Sequence, residues 1–124
     1  MRILTIRIER DTDRALARGG HQFIRAWKSG KYRGEYRSFE SAEALFRVLT
    51  PARWTLVETL QALGPSSLRG LARAAGRDVK AVHRDVQALM TQGLIERDEK
   101  RRLRVPFARI HAEFDLSGGK SKAA

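Results

Sequence analysis

The sequence contains no cysteine, which excludes a disulfide framework and any metal site built on thiolates. No run of residues approaches the roughly 20 apolar side chains of a membrane-spanning helix, and the opening Met1-Arg2-Ile3-Leu4-Thr5-Ile6-Arg7-Ile8 has no signal-like apolar stretch. A soluble, cytoplasmic protein with no membrane partner is expected. Aromatic residues make up only 7% of the chain. Trp27, Trp54 and Phe46 sit at helical spacings that read as core, so no aromatic platform for stacking single-stranded bases is expected.

A catalytic constellation is missing too. His21, His83 and His111 are widely separated, with no second ligand three or four residues away, so no metal site is expected. Ser66 and Ser67 have no neighbouring histidine, and helix capping accounts for them. The stretch from Asp115 to Ser121 ends like a phosphate-binding loop, but Phe114 stands where the earlier glycine is required and only three residues follow. The expectation is no enzymatic activity and no cofactor.

Acidic side chains are scarce beside basic ones, 14 against 25, and the net charge of +11 suits a polyanionic partner. The charge is not localised: residues 1–50 carry 11 basic and 6 acidic side chains (+5), and residues 51–124 carry 14 and 8 (+6). Arginine outnumbers lysine 19 to 6, a bias that a GC-rich genome produces without any binding role.

Pattern carries more than charge. Ser67 can cap a helix in which Leu68, Leu71, Ala72 and Ala75 form one apolar stripe, and Gly76 can take the left-handed conformation that ends it. Asp78 can cap a second helix with Val79, Val82, Val86, Leu89 and Met90 on one side. Its free face carries Arg77, Lys80, Ala81, Arg84 and Ala88, with His83 and Gln87 nearer the boundary and Asp85 placed to hold Arg84 or Arg77. After Gly93 come a strand, a turn at Asp98-Glu99-Lys100-Arg101 and a return strand at Arg102-Leu103-Arg104-Val105, with Ile95, Leu103 and Val105 facing the core. This order is that of a helix-turn-helix followed by a charged β-hairpin. Such a second helix enters the major groove of DNA by its N-terminal residues, while a basic hairpin lies along the phosphates or in the minor groove. The expected recognition-helix residues are Arg77, Lys80, Ala81, His83, Arg84 and Gln87. Phosphate contacts are expected from Ser66, Ser67, Arg69 and Arg73, and hairpin contacts from Arg97, Lys100, Arg101, Arg102 and Arg104.

The remaining chain gives structural hints. Leu4, Ile6 and Ile8 alternate with Thr5 and Arg7 as in a half-buried strand. A helix over 13–28 and a strand over 32–39 follow, and Ala42, Leu45, Phe46 and Leu49 begin another helical stripe. Thr50-Pro51 looks like a cap with proline at the first helical position, opening a scaffold helix lined by Trp54, Val57, Leu60 and Leu63. Beyond Pro106, the alternation of Ile110, Ala112, Phe114 and Leu116 predicts an amphipathic strand that pairs with the N-terminal one, within the chain or across a dimer.

Leu71-Ala-x-x-x-Gly76, Val82-His-Arg-Asp-Val-x-x-Leu89 and Gly93-Leu-Ile-Glu-Arg97 resemble the winged helix-turn-helix of MarR-type and DeoR-type bacterial transcriptional regulators. Leu49-Thr-Pro-Ala-Arg53 and Pro106-Phe-x-x-Ile-His-x-Glu113 are similar to a small family of prokaryotic DNA-binding regulators whose members often accompany a small toxin. The resemblance covers roughly residues 50–107 and implies a winged helix-turn-helix there. With the strand and helix patterns outside it, an α+β protein is expected: an N-terminal strand-helix-strand extension over 1–49 serving as dimer or partner surface, an extra C-terminal strand over 108–116, and a disordered tail over 117–124. The expected function is that of a homodimeric, sequence-specific double-stranded DNA-binding repressor, and the second likeness implies an autoregulating antitoxin with a toxin partner. The alternative is a protein-interaction module, toxin-neutralising or scaffolding, in which the winged helix does not read DNA specifically.

Overall fold

The computed structural model describes residues 2–9 and 34–116. The expected helix over 13–28, with Trp27, and the tail over 117–124 lie outside them. The described chain is α+β, with four helices, a three-stranded sheet and a two-stranded one, in two compact units.

The first unit comprises Arg2 and residues 43–108. Helix α1 (Ala42–Val48) opens it, burying Leu45 and, just past its end, Leu49. These two are an i, i+4 pair and take the single buried side that so short a helix offers. Phe46, about 100° round from Leu45, is 50% exposed, against the expectation that it is core.

Helix α2 (Pro51–Leu63) starts as its sequence dictates: Thr50 Oγ1 accepts from Arg53 N, and Pro51 fills a position whose N–H would have no helical partner. Leu56, Val57 and Leu60 are buried; Leu63, expected on the same stripe, is 47% exposed where the helix ends before Gly64.

Helix α3 (Leu68–Ala75) is capped by Ser67, whose Oγ accepts from Gly70 N at 3.0 Å, and buries Leu71 and Ala72. Gly76 ends it at φ 65°, ψ 34°, a left-handed conformation that costs a residue with a Cβ roughly 1–2 kcal/mol. Two residues on, Asp78 Oδ2 accepts from Lys80 N (3.0 Å) and Ala81 N (3.2 Å), starting helix α4 (Val79–Thr91). Val82, Val86 and Leu89 are each 0% exposed. Helix α2 packs against both α3 and α4, which pack against each other. The small Ala72 lets α3 come close.

Strands β3 (Glu96–Arg97) and β4 (Leu103–Arg104) form an antiparallel hairpin pairing Glu96 with Arg104 and Arg97 with Leu103. A third segment joins it: Ser66 N donates to Leu103 O at 2.9 Å, and Leu103 N to Ser66 O at 2.7 Å. The hairpin base is therefore tied to the chain just before α3. Ile95 and Leu103 are buried as expected, and Val105 is half-buried.

The second unit holds β1 (Ile3–Ile8), β2 (Glu35–Phe39) and β5 (Arg109–Glu113) in the order β2-β1-β5, all parallel. The C-terminal strand does pair with the N-terminal one, within the chain, in the register Ile3↔Arg109 to Arg7↔Glu113. Leu4 and Ile6 are each 1% exposed on the central strand. The amphipathic burial expected of β5 is not found: Ile110 is half-buried, Ala112 is exposed, and Leu116, beyond the strand, is 75% exposed. An edge strand need not bury a full face.

Candidate nucleic-acid interface

Helix α4 divides its residues by side. Opposite the buried valines, Lys80, Arg84 and Gln87 follow at i, i+4 and i+7, with His83 beside them, and all four are exposed. Ala81, between Lys80 and Arg84 in the sequence, is half-buried. Among the described residues neither Lys80 nor Arg84 has an acidic side chain in ion-pair range. Gln87 Nε2 lies 3.4 Å from His83 Nε2, a contact in which Gln87 donates when the ring proton is on Nδ1.

Arg77 behaves differently from the free-face residue expected. Its Nη2 donates to Asp85 Oδ2 at 2.7 Å, while Arg53 Nε donates to Asp85 Oδ1 at 3.0 Å. Arg53 Nη1 also reaches Val48 O at 2.7 Å. The Asp85 side chain is 14% exposed, and one carboxylate thus pins the α3–α4 turn to α4 and both to the start of α2. Burial alone would raise the Asp85 pKa, but the hydrogen bonds and charges of Arg77 and Arg53 outweigh it and hold the carboxyl below its ordinary 3.8. Of the two partners foreseen for Asp85, Arg77 is held and Arg84 is not. Arg53 was missed; its partner lies 32 residues away, and no local pattern marks such a pair.

On α3, Arg69 and Arg73 are one turn apart and exposed, without an acidic partner among the described residues. Ser67 Oγ serves as the cap acceptor and keeps its proton to donate. Ser66 Oγ donates to Ser67 O at 2.9 Å, so its proton is engaged within the protein.

The hairpin tip is organised by Asp98. Its carboxylate accepts from Lys100 N (2.9 Å), Arg102 N (2.8 Å) and Arg102 Nε (3.0 Å). The backbone N–H of Arg102 is the first cause of its lowered pKa. Asp98 N donates to Arg102 O and Arg101 N to Asp98 O, closing a three-residue loop with Arg101 at φ 64°. Glycine is the usual occupant of that left-handed position. Among the described residues Arg101 is the one non-glycine with positive φ, and its exposed side chain has no partner there.

The five basic residues of the hairpin separate accordingly. Arg102 pairs with Asp98, and Arg104 with Glu96 across the strands (Nε to Oε2 2.8 Å). Arg97 Nη1 donates to Arg101 O. Among the described residues Lys100 and Arg101 project without side-chain partners.

Elsewhere in this unit, a cavity of about 590 Å³ opens between the end of α2 and the β4–β5 linker, lined by Leu60, Pro65, Val105 and Phe107 with Glu58 and Arg104 as its titratable groups. No three His, Cys, Asp or Glu side chains converge as metal ligands among the described residues, and none of the described helices is long and apolar enough to cross a membrane.

The elements from α2 to β5 coincide with a matched family: the HVO_A0114 family model aligns with residues 48–112, just over half the chain. The chain belongs to the HVO_A0114 family. The HVO_A0114 match includes every element that carries an exposed cation named above. The chain is also similar, at 20% identity and a TM-score of 0.42, to a solved protein of unknown function from Listeria innocua Clip11262, with 77% of this chain and 67% of that one covered. No curated protein matches it.

Proposed function

We propose that the chain is a sequence-specific double-stranded DNA-binding regulator, in which α3, the turn at Gly76 and α4 act as a helix-turn-helix and β3–β4 as its wing. The carrying observation is the contrast on α4: Lys80 and Arg84 are exposed at its N-terminal half, without partners among the described residues, while neighbouring Arg77 is locked into the scaffold by Asp85. A helix N-terminus with two free cations and a small residue between them suits guanine O6 and N7 in the major groove. Arg69 and Arg73 on α3 and Lys100 and Arg101 at the hairpin tip supply flanking charge for phosphates. Arg77 serves this reading as a positioning residue.

Selection from a random duplex pool tests it. A specific reader enriches a defined motif and binds it at least about 10³-fold more tightly than a scrambled duplex; a pool that stays unenriched defeats the reading.

Arg101 supplies a sharper test, because its conformation and its charge pull in opposite directions. Arg101→Gly relieves a left-handed arginine and is expected to raise stability by up to about 1 kcal/mol. The same change is expected to weaken binding to all duplexes alike and to reduce the slope of log K against log salt by about one. An unchanged slope removes the hairpin tip from the interface.

A further inference from the structure

The three-stranded sheet ends in an edge whose sequence is complementary to itself. Among the described residues β5 bonds to β1 alone, so its outer row of N–H and C=O groups is unpaired there. Four of its five residues, all but Ile110, are exposed, and no proline interrupts it. Arg109, His111 and Glu113 alternate onto one face. The Arg109 guanidinium has no partner among the described residues. Among the described residues Glu113, 52% exposed, makes only long contacts, 3.5 Å to Arg7 Nε and 3.6 Å to His111 Nε2.

We infer that β5 is a dimerisation strand whose partner is β5 of a second copy, antiparallel about a twofold axis at His111. In this register each Arg109 lies opposite Glu113 of the other copy, so one alignment creates two opposite-charge pairs. On the other face each Ile110 meets Ala112, and the two sheets become one of six strands. Charges on an open edge usually discourage pairing with foreign strands; placed symmetrically about one residue they reject other partners and fix the register for this one. The β2 edge is less suited. A twofold at Arg37 sets that residue against itself, and the one at Tyr36 that would oppose Glu35 to Arg37 draws on two side chains already engaged within the chain. The inference concerns the second unit and does not depend on what the helices of the first bind.

Sedimentation of the full chain over a concentration series is expected to show a monomer–dimer equilibrium. Arg109→Glu and Glu113→Arg, each alone, place like charges opposite one another twice and are expected to weaken dimerisation at least about tenfold. Mixing the two variants restores opposite charges at both positions, and a heterodimer of wild-type strength is expected. Because the chain has no cysteine, His111→Cys reads the register directly: opposed residues on paired strands come close enough for a disulfide. Oxidation is expected to give a covalent dimer for His111→Cys and none for Ala112→Cys or for Thr5→Cys on the central strand. A protein monomeric at every concentration, a dimer indifferent to both charge reversals, or cross-linking at 112 in place of 111 overturns the proposal.

Discussion

Arg84→Ala is expected to weaken binding to a selected duplex by about 1–3 kcal/mol, roughly 10- to 100-fold, and to relax preference at one base pair while leaving Tm unchanged. The specificity effect follows from geometry. Arg84 lies one turn into α4 beyond Lys80, exposed and without an acidic partner among the described residues. Its guanidinium is free to present two parallel donors to a base edge, which a lysine cannot do. The unchanged Tm follows because no ion pair among the described residues is lost. Arg77→Ala is the matched control: it removes a side chain bonded to Asp85 at 2.7 Å and should lower stability without changing which sequence is preferred. Uniform weakening by Arg84→Ala on every duplex would reassign Arg84 to phosphate contact, and no weakening would remove α4 from the interface.

Asp85→Ala is expected to cost about 2–3 kcal/mol and to lower Tm by roughly 10 °C. It deletes two charge-assisted hydrogen bonds and leaves the guanidiniums of Arg53 and Arg77, whose side chains are 23% and 31% exposed, without the carboxylate they share. Arg77 Nη1 is already buried without a hydrogen-bond partner, so that guanidinium has little alternative bonding. An Arg53→Ala, Asp85→Ala double-mutant cycle should give a clear coupling energy, and strict additivity would mean that the pair contributes nothing. The sign with pH is fixed by the lowered folded-state pKa. Unfolded chains bind the proton first as pH falls through 3.8, so the contribution is complete above about pH 5 and is lost in acid as pH falls towards the folded-state value. Asp98, also lowered, adds a second acid-labile contribution of the same sign. Asp85→Asn should therefore show a shallower fall of stability below pH 4 than the wild type while keeping part of it.

The helices of the first unit were legible because their signals are local. Ser67, Gly76 and Asp78 each act on backbone groups within a few residues, and the spacing of Val82, Val86 and Leu89 alone selects the buried side of α4. Where burial depends on remote partners the pattern misled. Leu63 fits the α2 stripe but falls at its last residue, Phe46 competes with Leu45 and Leu49 for one short side, and Ala112 lies on a strand whose outer edge is open. The candidate site divides in the same way. Which face of α4 is free could be counted from the heptad-like spacing, but the use of Arg77, Arg102 and Arg104 in ion pairs could not, because each pairing depends on the turn or hairpin geometry that brings its carboxylate near. The left-handed Arg101 was likewise invisible until the loop closed around Asp98.

Titration of the isotope-labelled protein with a duplex, followed residue by residue through its amide NMR signals, tests the proposed interface most directly and needs no knowledge of the operator. Low-salt binding to any duplex should move the amides of residues 80–87 on α4 and 98–102 at the hairpin tip most, with smaller changes at Arg69 and Arg73 and reversal as salt is raised. Shifts confined to β1, β2 and β5, or no shifts at all, would contradict the account.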